Sequence, residues 1–219
     1  MGAISPSAVN FWNVRYAEEA YAYGTEPNAY FRQRLDALPP GRLLLLAEGE
    51  GRNAVYAAQC GWEVTAVDFS AEARAKALRL AGAQGVRLDY QVAGLMALGW
   101  RRPGHYDAVG FIYAHLAPAD RRAVHAAAAA SLAPGGHLFL ETFSPQQLGL
   151  PSGGPRVAGI RYEPAALAGD FAGLALLENQ TLGVMLREGS FHAGPASVVR
   201  LLATRPASRE ALTESDYPI

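Results

Sequence analysis

A run of four leucines between an arginine and an alanine, Arg42–Ala47, is the feature that most restricts the fold of this chain. The run is too short for a buried helix, and it is apolar at nearly every position. That pattern is typical of a central strand in a parallel sheet that is covered on both faces. Two glycines follow at positions 49 and 51, so the strand leads into a sharp turn. The sequence therefore predicts an α/β fold built around this strand.

Strand and helix patterns then alternate along the chain. Helices are predicted over residues 7–22, Asn28–Leu38, Asn53–Cys60, Ser70–Ala81 and Pro118–Leu132, and strands over Glu63–Val67, Val86–Gln91, Tyr106–Tyr113 and His137–Phe143. The last part differs, because Leu174–Arg187 and Ser197–Thr204 predict an antiparallel hairpin with a turn over Glu188–Ala196. The expected fold is Rossmann-like: a seven-stranded, mostly parallel sheet with a C-terminal antiparallel hairpin and helices on both faces.

The composition fits one globular, cytoplasmic domain. The chain has 219 residues, of which half are apolar and 18% are charged, and its formal net charge is −1. So small a charge gives no general attraction to nucleic acid or anionic membranes, and no apolar stretch approaches the length of about 20 residues that spans a bilayer. Cys60 is the single cysteine, so no internal disulfide is expected. We expect one domain over residues 1–205 and a tail over 206–219, in a monomer or homodimer without nucleic-acid or membrane partners.

Three carboxylates lie near the glycines, namely Glu48, Glu50 and Asp68. Gly49 and Gly51 let the backbone approach a ligand closely, and the amides at the start of the next helix are free to hold a carboxylate of that ligand. Asp68 ends the second strand, where a carboxylate can accept both hydroxyl hydrogens of an adenosine ribose. The pattern predicts a nucleotide cofactor at the carboxyl ends of the strands.

Two cofactors fit that geometry. Gly49-x-Gly51-x-x-Ala54 satisfies the dinucleotide pattern of NAD-binding sheets. Glu48 and Glu50 would face the negative pyrophosphate of NAD, however, whereas they suit the ammonium and sulfonium of S-adenosylmethionine. The C-terminal hairpin also favours a methyltransferase. We therefore expect S-adenosylmethionine, with S-adenosylhomocysteine as its product, and keep an NAD-dependent oxidoreductase as an alternative.

Longer segments resemble a known family. Residues 48–70 (EGEGRNAVYAAQCGWEVTAVDFS), 107–116 (DAVGFIYAHL) and 132–147 (LAPGGHLFLETFSPQQ) resemble class I methyltransferases of the tellurite-resistance and thiopurine type. Residues 12–31 and 188–203 are similar to the same group of small bacterial enzymes. The resemblance implies methyl transfer from S-adenosylmethionine to a small-molecule acceptor, such as a thiol or another soft nucleophile.

The resemblance also implies a cofactor site. The glycine loop would pass under the methionine part of the cofactor, the end of the second strand would bind ribose and adenine, and the end of the fourth strand would border the transferred methyl group. Residues 1–38 would close over the pocket as a helical lid. The implied cofactor residues are Arg15, Tyr23, Gly24, Glu48, Gly49, Glu50, Gly51, Asn53, Asp68, Phe69, Ser70, Gly94, Leu95, Ile112 and Tyr113.

Three positions depart from the family pattern. The usual loop is D-x-G-x-G-x-G, but Leu45 replaces the aspartate and Ala47 the first glycine. Gly94 stands where many relatives carry Asp or Asn for the adenine amino group. These departures support the second alternative, a binding module that holds S-adenosylmethionine without turnover.

Candidates for the acceptor side are few, because the cofactor carries the reactivity in methyl transfer. His115 follows the fourth strand and is the candidate base for an oxygen or nitrogen acceptor; a helix cap or a loop hydrogen bond is its other interpretation. Trp12, Tyr16 and His192 are candidates for acceptor contacts, with packing as the alternative. Arg15 can pair with a carboxylate of the cofactor or of an acidic acceptor. No metal is expected.

Overall fold

One sheet of seven strands organises the molecule. The computed structural model describes residues 6–207. Its strands are β1 (Arg42–Leu46), β2 (Glu63–Asp68), β3 (Asp89–Val92), β4 (Tyr106–Ile112), β5 (Leu132–Phe143), β6 (Ala175–Glu188) and β7 (His192–Thr204). They lie in the order β3-β2-β1-β4-β5-β7-β6, in which β1 to β5 pair in parallel and β7 is antiparallel to both neighbours. The predicted fold is confirmed.

Six α-helices flank the sheet within residues 6–207. They are α1 (Pro6–Ala17), α2 (Ala29–Leu35), α3 (Arg52–Gln59), α4 (Ala71–Ala83), α5 (Pro118–Ser131) and α6 (Pro164–Asp170). The predicted cap of α4 is confirmed, since the Ser70 hydroxyl accepts a hydrogen bond from the Ala73 amide at 3.2 Å. α6 was not predicted.

The leucines of β1 explain why every residue of this strand is apolar. Leu44 and Leu46 belong to the core on one face of the sheet, and Leu43 and Leu45 belong to the core on the other face. Because β2 and β4 pair with β1 on its two edges, the strand is enclosed on all sides. It ends where the strand order reverses, which is the ligand position in sheets of this kind.

The N-terminal helices are shorter than predicted. α1 ends at Ala17 instead of residue 22, because the Ala22 amide donates to Glu50 and the Glu18 carbonyl, its partner in a longer helix, accepts from Lys76. α2 begins after Asn28, whose side chain caps it, and ends at Leu35. α1 packs on α4 and so lies beside the carboxyl ends of β1 and β2.

Several strand boundaries were also wrong. The hairpin of β6 and β7 is longer than predicted, and its connection is reduced to residues 189–191. β5 begins at Leu132, which pairs with Tyr106 across an irregular register, instead of at His137. Residues 208–219, most of the segment predicted as a tail, lie outside the described residues.

Candidate functional site

A cavity of about 800 Å³ opens at the carboxyl ends of β1 and β4. The loop after β1 forms its floor, the end of β4 forms one wall, and α1 with residues 191–192 forms the opposite side. The residues predicted from sequence that line it are Trp12, Arg15, Tyr16, Tyr23, Glu48, Gly49, Glu50, Asn53, Ile112, Tyr113, His115 and His192. The structure thus brings together the predicted methionine and acceptor ends of the site.

The predicted adenosine end lies apart from this cavity. Asp68, Phe69, Ser70, Gly94 and Leu95 do not line it, and neither do Gly51, predicted for the methionine part, and Gly24, predicted for the lid. Leu95 is part of the hydrophobic core, and its carbonyl accepts a hydrogen bond from the Trp100 indole at 3.0 Å. Gly24 lies in a turn against Gly189, where a Cβ on Gly189 would come 2.5 Å from the Gly24 nitrogen. Gly24 therefore serves close packing here.

The loop after β1 has a left-handed backbone at three positions. Ala47, Gly49 and Gly51 have φ angles of 56°, 63° and 87°. A Cβ on Gly51 would lie 2.5 Å from the Cβ of Ala77 in α4, and one on Gly49 would lie 2.9 Å from the Tyr16 hydroxyl. Ala47 thus keeps the glycine-like angle of the family pattern in spite of its side chain.

Replacing Ala47 with glycine should therefore stabilise the protein. Relief of a left-handed alanine, a strain of about 1–2 kcal/mol, exceeds the added freedom of the unfolded chain, so we expect a net gain of about 0.5–1 kcal/mol in urea unfolding. Ala58→Gly in α3 is the matched control, because a helical alanine should lose about 1 kcal/mol. Destabilisation by both substitutions would show that Ala47 is not strained.

Glu48 is a buried carboxylate in the loop after β1, and it caps the start of α3. Its Oε1 accepts hydrogen bonds from the amides of Asn53 and Ala54 at 3.0 and 2.8 Å. Burial raises its pKa to about 7, although these amides act in the opposite direction. Glu48 forms no ion pair within residues 6–207. The helix-start amides expected to hold a carboxylate of the cofactor are thus occupied by a carboxylate of the chain itself.

Glu50 has a cationic partner. Its carboxylate lies 2.5 Å from the Lys76 ammonium, and its Oε2 accepts the Ala22 amide at 2.8 Å. Both charged side chains are buried. Glu50 therefore holds the segment after α1 against the glycine loop, and its charge is balanced by Lys76.

Asp68 is buried at the end of β2. Its Oδ2 accepts the Gly49 amide at 3.0 Å, and its Oδ1 accepts the Ser70 amide at 2.9 Å. Burial raises its pKa to about 6, against the effect of these hydrogen bonds. Two residues of α1 contact this region. Burial and the nearby Asp68 carboxylate raise the pKa of Tyr16 well above its usual value. Asn13 accepts a hydrogen bond from the Ser70 hydroxyl at 2.7 Å. α1 thus covers this end of the site.

A buried polar network supports the wall formed by β4. Tyr113, at a φ of 55°, donates its hydroxyl hydrogen to Glu141 at 3.0 Å. Glu141 also accepts from Asn28 at 2.7 Å and from Arg200 at 2.6 Å. Asn28 in turn donates to Glu188 at 2.8 Å. Because these bonds occupy the Glu141 carboxylate, it is not free to act as a base.

Burial favours the neutral form of both histidines of the cavity. Burial lowers the pKa of His115 to about 3 and also lowers the pKa of His192. His115 Nδ1 lies 3.4 Å from the Thr142 hydroxyl. The His192 ring lies 4.4 Å from the rings of Tyr23 and Tyr113. Each histidine can exchange hydrogen bonds, but His115 is a weak base.

Arg15 faces the cavity without a carboxylate partner in the described part of the chain. Its guanidinium carbon lies 3.7 Å from the ring centre of Phe191 and 5.0 Å from that of Phe11. One of its nitrogens donates to the Tyr23 hydroxyl at 3.3 Å. The aromatic contacts orient the guanidinium and leave it able to bind an anion.

Sequence reasoning missed one wall of the cavity, the loop Gly153–Arg156. A Cβ on Gly154 would lie 2.8 Å from the Phe143 ring, so the loop lies close against β5. Arg161 fixes it by donating to the carbonyls of Pro155 and Pro145 at 3.0 and 3.2 Å. The Gly-Gly-Pro composition indicates a turn, but no local signal gives its position over the cavity.

Comparison with known proteins bears directly on this site. Residues 43–136, which contain the glycine loop, Asp68 and Tyr113, match the methyltransferase domain family. This part of the chain is therefore similar to a methyltransferase domain. The ubiquinone biosynthesis O-methyltransferase of Xanthomonas campestris pv. campestris (strain B100) is 36% identical over 109 residues, which are 49% of this chain and 45% of that protein. The chain thus spans less than half of the length of this curated relative.

Solved structures share the fold of the methyltransferase domain over a larger part of the chain. A structure from work on the conversion of a disulfide bond into a thioacetal group during echinomycin biosynthesis has a TM-score of 0.71 and 18% identity, and covers 93% of this chain and 94% of that one. The N-methyltransferase NodS of Bradyrhizobium japonicum WM9, in complex with S-adenosyl-L-homocysteine, has a TM-score of 0.66 and 12% identity, with 90% and 98% covered. At such identities the likeness concerns the fold.

The chemistry of the site fits S-adenosylmethionine, the cofactor of the methyltransferase domain. Glu48 is a buried carboxyl that forms no ion pair between residues 6 and 207 and can ionise next to a cation, and the methionine part of the cofactor carries two positive groups. Within the same residues, no cluster of three or more His, Cys, Asp or Glu side chains is placed to hold a metal ion. No helix in the described part has the length and apolarity needed to cross a membrane.

Proposed function

We propose that the protein transfers the methyl group of S-adenosylmethionine to a small-molecule acceptor that is a soft nucleophile, with a thiol as the main candidate. The observation that carries the proposal is the Glu48 carboxylate, which is buried at the glycine loop and forms no ion pair in the described chain, since the nearby Arg52 pairs with Glu188. An ammonium at this place would stabilise the ionised carboxylate, because an opposite charge lowers the pKa of a buried acid.

The same residue argues against NAD. Pyrophosphate binding in dinucleotide sheets relies on free amides at the start of the helix after β1. Here the Asn53 and Ala54 amides already donate to Glu48, and a pyrophosphate would meet that carboxylate. The sequence pattern of glycines is therefore compatible with NAD, but the hydrogen bonds of the loop are not.

Arg15 and Asp68 complete the proposed cofactor site. The oriented guanidinium of Arg15 suits the carboxylate of the methionine part, since the helix-start amides are occupied. Asp68 retains lone pairs for the ribose hydroxyls beside the two amides that it accepts. When bound, S-adenosylmethionine supplies the electrophilic methyl group, and the chain orients it and excludes water.

The acceptor proposal assigns Glu48 to the cofactor and rests on the weakness of the other candidate bases of the cavity within residues 6–207. His115 and His192 are neutral with lowered pKa values, and Glu141 is occupied by three donors. A thiol with a pKa of about 8.5 ionises to a useful extent near neutral pH without help, whereas an alcohol does not. The curated relatives are named O-methyltransferases, so an acidic phenol is the competing acceptor.

Calorimetric titration tests the cofactor part. One preparation is titrated with S-adenosylmethionine, S-adenosylhomocysteine and NAD; we expect micromolar binding of the first two and no NAD signal. A panel of thiols and phenols with isotopically labelled cofactor then tests the acceptor part. Binding without transfer to either class would favour the binding module, and NAD binding alone would overturn the proposal.

His115→Gln should leave the single-turnover methylation rate of a thiol within about threefold of the wild-type value, because a general base normally contributes about a hundredfold or more. The rate should also lack an inflection from His115 near neutral pH, since its pKa is about 3. Rapid-quench measurement of one turnover across this pH range checks both points. A hundredfold loss at unchanged cofactor affinity would make His115 the base.

A further inference from the structure

Lys76 is the single lysine of the chain, and it is buried in α4, with 3% of its surface exposed. Its ammonium donates two hydrogen bonds to backbone carbonyls and forms one ion pair. Nζ lies 2.8 Å from the Glu18 carbonyl, 2.6 Å from the Ala20 carbonyl and 2.5 Å from the Glu50 carboxylate. One ammonium therefore joins the segment after α1 to the glycine loop.

Further contacts join the same three parts of the chain: α4, the segment after α1 and the glycine loop. The second oxygen of Glu50 accepts the Ala22 amide at 2.8 Å. The Tyr21 hydroxyl donates to the Lys76 carbonyl at 3.0 Å, and the Tyr21 ring lies 4.8 Å from the Lys76 ammonium. Residues 18–22 are thus held mainly by the Lys76–Glu50 pair, through backbone groups that any side chains at these positions would provide.

The segment held in this way continues α1, which covers the adenosine end of the site. A Cβ on Gly49 would meet the Tyr16 hydroxyl at 2.9 Å, Asn13 accepts from Ser70, and Asp68 does not line the cavity. If Asp68 binds the ribose, as the proposed function requires, α1 has to move before the cofactor can reach it.

We propose that Lys76 is the latch of this lid: it fastens residues 18–20 to Glu50 when α1 is closed and releases them when α1 lifts. Lys76 is a positioning residue, not a catalytic one. Lifting α1 removes two of its three acceptors and brings the ammonium into water, while Glu50 stays on the glycine loop. Closure restores the two hydrogen bonds to the carbonyls of Glu18 and Ala20 and places Tyr16 over Gly49, so cofactor affinity depends on the latch. This inference rests on the proposed function.

The single lysine allows a direct test on the unaltered protein. Reductive methylation modifies lysines that reach water, because the neutral amine condenses with formaldehyde to an imine and an added borane reductant supplies the hydride. Cleavage at Arg74 and Arg79 then isolates Lys76 in a short peptide for mass spectrometry. We expect modification of the free protein and at least about tenfold slower modification with saturating S-adenosylhomocysteine, because a ligand of the closed state suppresses opening. Equal rates with and without bound ligand, or no modification of the free protein, would overturn the latch.

Two variants test the effect on affinity. Lys76→Met removes the donors and should weaken S-adenosylhomocysteine binding by about tenfold or more, whereas Lys76→Arg keeps the charge and should recover part of this loss. Arg79→Met is the matched control: it lies on the exposed face of α4, one turn further on, and should bind like the wild type. A folded Lys76→Met variant with wild-type affinity would overturn the proposal; if the variant does not fold, the modification experiment decides.

The outcomes separate the latch from the proposed function. Calorimetry on the unaltered protein shows first whether S-adenosylhomocysteine binds. Absence of binding contradicts the proposed function and the latch with it. Binding without protection of Lys76 contradicts the latch alone.

Discussion

Glu48→Gln should make the free protein more stable at alkaline pH. Burial raises the pKa of Glu48 from 4.5 to about 7, so the folded chain holds this proton more tightly than the unfolded chain does. The resulting stability is fully present below a pH of about 4.5 and is lost as the pH rises through about 7, which amounts to about 3 kcal/mol. Glutamine carries no charge and can still accept the Asn53 and Ala54 amides through its carbonyl oxygen.

The stability difference between Glu48→Gln and the wild type should therefore grow with pH. Urea unfolding at a pH of about 5 and again at about 8 should show the variant gaining about 2.5 kcal/mol over this range, since part of the effect is already present at the lower pH. Glu63→Gln, an exposed carboxylate at the start of β2, is the matched control and should show no such trend. A difference that stays constant with pH would mean that Glu48 is ionised as easily in the folded chain as in water.

The same substitution should weaken cofactor binding. If the ammonium of the cofactor pairs with the Glu48 carboxylate, its loss costs about tenfold or more in affinity, since hydrogen bonds between charged groups are worth about 1.5–3 kcal/mol. The wild-type affinity should then rise with pH through about 7, with proton release on binding, and calorimetry in buffers of different ionisation enthalpy measures that proton. Unchanged affinity in the variant would remove Glu48 from the cofactor site.

The sheet could be predicted because its signals are local. The leucines of β1 face two cores, and a strand with that surrounding has to be apolar throughout. The loop after β1 was recognisable because glycine is the residue that a left-handed turn against α4 needs. Helix ends were less predictable, since the end of α1 depends on Lys76, which lies 58 residues from Glu18 in the chain.

The partners of the charged side chains could not be predicted either, because they too depend on residues that are distant in the chain. Glu48 and Glu50 are alike in sequence, two acids on either side of one glycine. Their environments differ because Lys76 reaches only Glu50, while Glu48 turns to the amides of α3. Sequence spacing indicated a negatively charged loop, and only the packing of α4 against it determines which charge is left for a ligand.

Asp68→Ala should abolish most of the cofactor affinity. Two hydrogen bonds from the ribose hydroxyls to a carboxylate are worth about 1.5–3 kcal/mol each, so we expect S-adenosylhomocysteine to bind about a hundredfold more weakly. The variant also frees the Gly49 amide, which Asp68 accepts at 3.0 Å, and so loosens the glycine loop. Asp89→Ala, an exposed carboxylate on the neighbouring strand, is the matched control and should bind like the wild type.

The pH dependence distinguishes Asp68 from Glu48. Burial raises the pKa of Asp68 to about 6, and the protonated acid can accept fewer hydrogen bonds from the ribose. Wild-type affinity should therefore fall about tenfold per pH unit below about 6, in addition to the change near 7 from Glu48. Calorimetry of Asp68→Ala should retain the change near 7 and lose the one near 6. If the lower inflection survives in the variant, another group is titrating and the ribose assignment fails.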